Sequence, residues 1–201
     1  MQTVVTHSGS FDPDDVLAVA SLQLHLGIDN MQIIRSRDQA VIDKADWVID
    51  VGGHYNAATH RFDHHQNGVP KRENGIPYSA FGLIWKDYGI DIAGTKEAAD
   101  YIETKLVLPI DAADNHVTVC HPGQAGVTAF QFFDLIDAMR PMWGSEEGYD
   151  TQFLKAVEFA HNLLRRLIAH GQAYDDMHEM IRERYESNEQ KIVLEFTEPI
   201  P

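Results

Sequence analysis

The stretch RFDHHQ, residues 61–66, sets Asp63, His64 and His65 side by side. Adjacent side chains on a strand point to opposite faces, and on a helix they splay apart, so three consecutive polar groups rarely serve one buried surface. Either this segment is a solvated loop, or the backbone turns there to aim several ligands at one point. Three further clusters carry the same residue types: His7 with Asp12 and Asp14, then Asp50, then Asp111 with Asp114. Imidazole and carboxylate together suit Mn²⁺, Zn²⁺ or Fe²⁺, and the single cysteine, Cys120, excludes a cysteine-built site. The supply of carboxylates and imidazoles is enough for two ions, with an aspartate bridging them at a separation of roughly 3.5–4 Å. Such a pair activates water for attack on phosphorus and stabilises the charge that develops on the leaving oxygen.

Each cluster has an ordinary explanation when taken alone. Asp12 and Asp14 suit a helix cap. Asp50 before Gly52 and Gly53 suits a turn that closes a strand. Paired histidines suit a surface loop, and Asp111 and Asp114 suit a helix end. Taken together, these explanations require four coincidences within one domain.

The elements that must position these residues follow from hydrophobic patterning. QTVVT (2–6) is predicted as a strand and DDVLAVASLQLHL (14–26) as a helix, with Pro13 at its start and Asp14 and Asp15 in its first turn. MQIIRS and DWVIDVGG are predicted as the second and third strands. This order gives an α/β domain with a mostly parallel sheet flanked by helices, in which functional groups gather beyond the carboxyl ends of the strands. His7 and Asp50 fall at two such ends. Helices are predicted at about 78–88, 95–109, 126–138 and 151–186, a turn-rich segment at about 111–126, and a strand at KIVLEF near the end. We place a catalytic domain at 1–140 and assign 150–201 to a long helix plus terminal strand. That strand either starts an incomplete second domain or pairs with another chain in a homodimer.

The formal net charge of −15 argues against a broad basic face gripping long nucleic acid, but carboxylate-bound cations can themselves attract a phosphate. Arg35 and Arg37, just after a predicted strand, are the candidates to reach phosphate, with Lys71 and Arg72 as further basic residues. Trp47, Trp85 and Trp143 are expected to pack rather than to stack on bases. No apolar run reaches membrane-spanning length, and the first residues lack a signal-peptide pattern. With one cysteine, a reducing, cytoplasmic setting is the expectation.

The order H-x4-D-x-D, an Asp closing an apolar strand, D-H-H and a later Asp resembles the DHH phosphoesterase superfamily. That group includes RecJ-type exonucleases, oligoribonucleases and manganese-dependent family II inorganic pyrophosphatases. THSGSFDPDD, DVGGHYNAATHRFDHHQ, SAFGLIW, IDAADN and RPMW are similar to the MYG1 (UPF0160) family along the whole chain. The resemblance implies phosphodiester hydrolysis with two divalent ions, Mn²⁺ first, with Mg²⁺, Zn²⁺ or Fe²⁺ as alternatives. It also implies 3′-to-5′ exonuclease action on RNA or short oligonucleotides. His7, Asp12 and Asp50 would hold one ion. Asp14, Asp50, His64 and Asp114, or Asp111 in its place, would hold the other. His65 would contact substrate, and Asp63 would orient a ligand histidine. Members typically carry His at the position of Asp12, so the first site here is richer in oxygen. Two other functions fit the same residues: hydrolysis of a small phosphate such as pyrophosphate or a cyclic dinucleotide, and metal binding without catalysis.

Overall fold

The structure is a computed structural model that describes residues 1–121 and 123–188. The KIVLEF strand expectation lies outside the described residues. Five strands, β1 (Gln2–Thr6), β2 (Met31–Arg35), β3 (Trp47–Ile49), β4 (Tyr55–Asn56) and β5 (Arg61–Phe62), form one sheet in the order β2-β1-β3-β5-β4. All neighbours are parallel except β4, which runs antiparallel at the edge. The α-helices among the described residues are α1 (Pro13–Leu26), α2 (Gln39–Ile42), α3 (Ala80–Ala93), α4 (Lys96–Ile102), α5 (Leu108–Asp114), α6 (Phe132–Asp137) and α7 (Tyr149–Ser187). The mixed α/β architecture with a mostly parallel sheet is as the sequence predicts.

Strand alternation divides the core. Val4, Trp47, Ile49 and Phe62 face the larger cluster with α1, α3 and α7, whereas Val5 and Val48 face a smaller one with Ile42, Ala45 and Val51. Every residue of α1 from Pro13 to Leu22 is buried, as its apolar composition on all sides requires of a central helix. Buried Phe153, Ala156, Val157, Ala160, Leu164 and Ile168 recur at helical spacing in α7 and join the same core as the sheet.

Several elements differ from expectation. The helix predicted to end near 109 continues through a π-helical turn, Glu103–Val107, into α5, with Pro109, which has no N–H to give to the ladder, two residues after that turn. The turn-rich segment therefore starts beyond Asp114. The helix expected over 126–138 shortens to α6. Trp47 and Trp85 are buried, but Trp143 is fully exposed in the loop before α7. Among the described residues, no helix is long and apolar enough to cross a membrane.

Candidate metal centre

Three neighbouring parallel strands end in candidate ligands. β1 runs into His7, β3 into Asp50, and β5 into Asp63, His64 and His65. Asp50 takes a left-handed backbone conformation, φ 53°, a costly state for a residue other than glycine and one concentrated at functional sites. Its carboxylate lies among three imidazoles, with His65 Nδ1 3.4 Å from Oδ1. Oδ2 is 3.2 Å from His7 Nε2, and Oδ1 is 3.3 Å from His64 Nε2. His64 Nε2 also faces Asp114 Oδ2 at 3.3 Å and Asp14 Oδ2 at 3.7 Å. One imidazole N–H cannot satisfy three carboxylates. Asp15 Oδ2, Asp50 Oδ1 and Asp114 Oδ2 are buried and accept no hydrogen bond from the described residues. Orphaned carboxylate oxygens converging on imidazole nitrogens fit divalent cations, and the all-oxygen-and-nitrogen donor set fits Mn²⁺, Mg²⁺, Zn²⁺ or Fe²⁺. The ligand atoms of Asp50, His64 and His65 lie within 4.8 Å of one another, as do those of Asp14, His64 and Asp114.

The structure separates residues that the sequence left together. Asp114, the last residue of α5, reaches His64, whereas Asp111 is fully buried one turn earlier. Asp111 Oδ2 pairs with Arg72 Nη2 at 2.7 Å, and Arg72 Nε donates to Glu103 at 2.6 Å. Asp111 and Arg72 are thus committed to each other rather than to an ion or a phosphate. Asp12 caps α1 by accepting from Asp14 N, and also lines the pocket beside His7 and Asp50. Asp63 accepts from the Gly53 N–H at 2.5 Å and contacts His65 Nδ1 at 2.7 Å. The histidine it orients is therefore His65. Arg35 does not reach the pocket, because its side chain is buried and paired with Asp150. Arg37 is exposed and lines the pocket. Lys71 is exposed and does not line it.

Two residues of the site were missed from the sequence. Asp15 Oδ2 lies 3.2 Å from His7 Nε2. Ser79, at the N-cap of α3, holds its hydroxyl within hydrogen-bond distance of both Asp14 and Asp111, and Asp14 also accepts from the Ala80 and Phe81 N–H groups at 3.0 and 2.6 Å. The N-terminus of α3 is thus capped by a carboxylate from α1.

Burial raises Asp14 and Asp15 well above the ordinary carboxylate range, with neighbouring aspartates adding to the effect. Burial likewise pushes Asp114 up to about 7 and Asp111 to about 6. Burial works against ionised Asp50 too, but the His64 and His7 imidazoles outweigh it and lower its pKa. Burial disfavours charged His7 and His64, yet contact with Asp50 and the surrounding carboxylates raises both. The contact with Asp63 raises His65 to about 9.

The direction of these shifts gives an expected pH dependence for the metal-free fold. Asp111 and Asp114 bind protons more tightly folded than unfolded, so the stability they contribute declines as pH rises from about 4 through about 7. His65 acts in the same direction, its contribution being complete below about 6.5 and lost as pH rises through about 9. Chelated protein is expected to melt on the order of 5 °C lower at pH 8 than at pH 5, with Mn²⁺ recovering the difference. Scanning calorimetry checks this, and a higher melting temperature at pH 8 without metal would contradict it.

Fold and side chains define an α/β domain with a histidine–aspartate centre suited to divalent cations, set at the carboxyl ends of a parallel sheet. The chain belongs to the MYG1_exonuc family, described as an uncharacterised protein family (UPF0160), whose profile matches residues 3–201. A "MYG1 protein" of Chlamydia muridarum is 34% identical over 169 residues, covering 83% of this chain and 54% of its own. A "MYG1 protein" of Schizosaccharomyces pombe is 30% identical over 178 residues, covering 80% and 55%. A "MYG1 exonuclease" of Mus musculus is 29% identical over 185 residues, covering 81% and 48%. The chain spans about half the length of these curated relatives. No solved structure matches it at a significant level.

Proposed function

We propose that this domain is the catalytic part of a divalent-metal-dependent phosphoesterase, acting as a 3′–5′ exonuclease on RNA or short oligonucleotides. The position of Asp50 carries this reading: each of its oxygens faces a different imidazole, beside buried carboxylate oxygens that accept no hydrogen bond from the described residues. His7, Asp12 and Asp50 would hold one ion, with Asp15 facing the same nitrogen of His7 that faces Asp50. Asp14, Asp50, His64 and Asp114 would hold the other. Mn²⁺ is the first candidate for both. When bound, the ions supply an activated water and stabilise the leaving oxygen.

The remaining roles belong to the chain itself. A pocket of about 400 Å³ is lined by His7, Asp12, Asp50, Gly53, His65 and Arg37. That volume suits roughly one nucleotide, at the small end of ligand pockets. Arg37 at the pocket wall binds the phosphate. His65, more than half exposed and held by Asp63 behind it, donates to a phosphoryl oxygen. A net charge of −15 offers no long basic track, so recognition of one chain end suits this site better than an extended grip on a duplex. The name of the mouse relative supports the same reading.

Cleavage of a 3′- or 5′-labelled RNA oligomer with Mn²⁺, Mg²⁺, Zn²⁺ or EDTA, beside His64→Ala, tests it. The expected result is stepwise shortening from the 3′ end that requires a divalent ion and is lost in the variant. Ions bound without any cleavage of RNA would contradict the exonuclease reading and direct attention to pyrophosphate or cyclic dinucleotides.

A further inference from the structure

The β1–α1 loop carries His7 and Asp12, and its backbone has an unusual set of partners. Arg37 Nε donates to Ser8 O at 3.3 Å, Arg35 Nη2 to Gly9 O at 2.9 Å and Ser10 O at 3.4 Å, and Arg140 Nε to Phe11 O at 2.5 Å. Four successive carbonyl oxygens thus accept from three guanidinium groups, which come from the end of β2, the β2–α2 loop and the α6–α7 loop. Arg35 is the most enclosed of the three. Its side chain is 3% exposed, its guanidinium lies 4.4 Å from the centroid of Phe153, and Nη1 reaches Asp150 at 3.0 Å. Asp150 is 72% exposed, so that ion pair alone contributes little.

We propose that Arg35 is a positioning residue for the ion site at His7 and Asp12: together with Arg140 it fixes the loop by its carbonyl oxygens, so that His7 stands against Asp50 and Asp12 lines the same pocket. The inference rests on the metal-centre reading above. The loop has no sheet or helix ladder between Thr6 and Pro13, and guanidinium donors take that place. The planar fork of arginine can serve adjacent carbonyls and Asp150 at once, whereas the ammonium of lysine is a single point on a flexible stem.

Titration with Mn²⁺ alone, followed by calorimetry, tests this on wild type, Arg35→Lys, Arg140→Lys and Asp150→Asn, with melting temperatures taken in parallel. Wild type is expected to take two ions. Arg35→Lys should keep one site unchanged and weaken the other by about 10- to 100-fold, while Asp150→Asn keeps both. Two unchanged sites in Arg35→Lys would overturn the proposal. So would equal weakening of both sites, or the same loss in Asp150→Asn, since either marks a general structural role. If Arg35→Lys does not fold, Arg140→Lys carries the test with the same expectations. Wild type that takes no Mn²⁺ would overturn the metal centre itself, which is a different failure from two-ion wild type with unaffected variants.

Discussion

Asp50→Asn is expected to remain folded, to lose the coupled binding of two ions, and to fall at least about 10³-fold in kcat/KM, about 4 kcal/mol of transition-state stabilisation. Asparagine keeps the shape of the side chain and tolerates the left-handed backbone that Asp50 adopts at φ 53°, so the substitution removes charge without adding backbone strain. Charge is what the position supplies. Asp50 Oδ2 and Oδ1 face His7 and His64 at 3.2 and 3.3 Å, and among the described residues no other carboxylate stands against both. Metal titration and steady-state kinetics on the variant check this. Full turnover with two ions bound would show that Asp50 is not the shared ligand.

Gly82→Ala should be among the most destabilising single-methyl changes in the domain. A Cβ there would lie 1.8 Å from Asp111 Oδ2, which must be expelled. Asp111 is fully buried, accepts from Gly82 N at 3.1 Å and neutralises Arg72, itself 9% exposed. Breaking a buried ion pair costs about 3–5 kcal/mol, which for a chain of this size lowers the melting temperature by on the order of 10 °C. Glycine to alanine inside an exposed helix ordinarily stabilises by about 1 kcal/mol, so the sign of the change is diagnostic. Thermal unfolding of the chelated protein measures it, and an unchanged or higher melting temperature would contradict this account of Asp111.

The parts of the site that were legible in the sequence are those attached to apolar runs. His7 and Asp50 directly follow short hydrophobic strands, so a parallel sheet must deliver them to the same edge. The D-H-H triplet was legible as chemistry but not as a strand end, because β5 is only Arg61 and Phe62, too short to show alternation. Asp15 was hidden by its setting, since an acidic first turn is explained by the helix dipole alone. The stronger signal was that α1 is apolar on every side, which buries whatever acid stands in its first turn. Ser79 left no local mark, as only the packing of α3 against α1 brings its hydroxyl to Asp14. Asp111 and Asp114 share a helix, and a single turn of rise separates a structural ion pair from a contact with His64. Arg35 ends a strand whose side chain turns toward Phe11 and Phe153, whereas Arg37, two residues further, has left the sheet. Charge and proximity to a strand end do not distinguish those two outcomes.

The central claim is a pair of ions sharing Asp50. Electron paramagnetic resonance of the protein loaded with Mn²⁺ to saturation tests it most directly. The proposed centre predicts an exchange-coupled spectrum from two neighbouring ions in the wild type, replaced in Asp50→Asn by the signal of isolated ions or none. A wild-type spectrum of isolated Mn²⁺ only, at any loading, would contradict the shared-ligand centre.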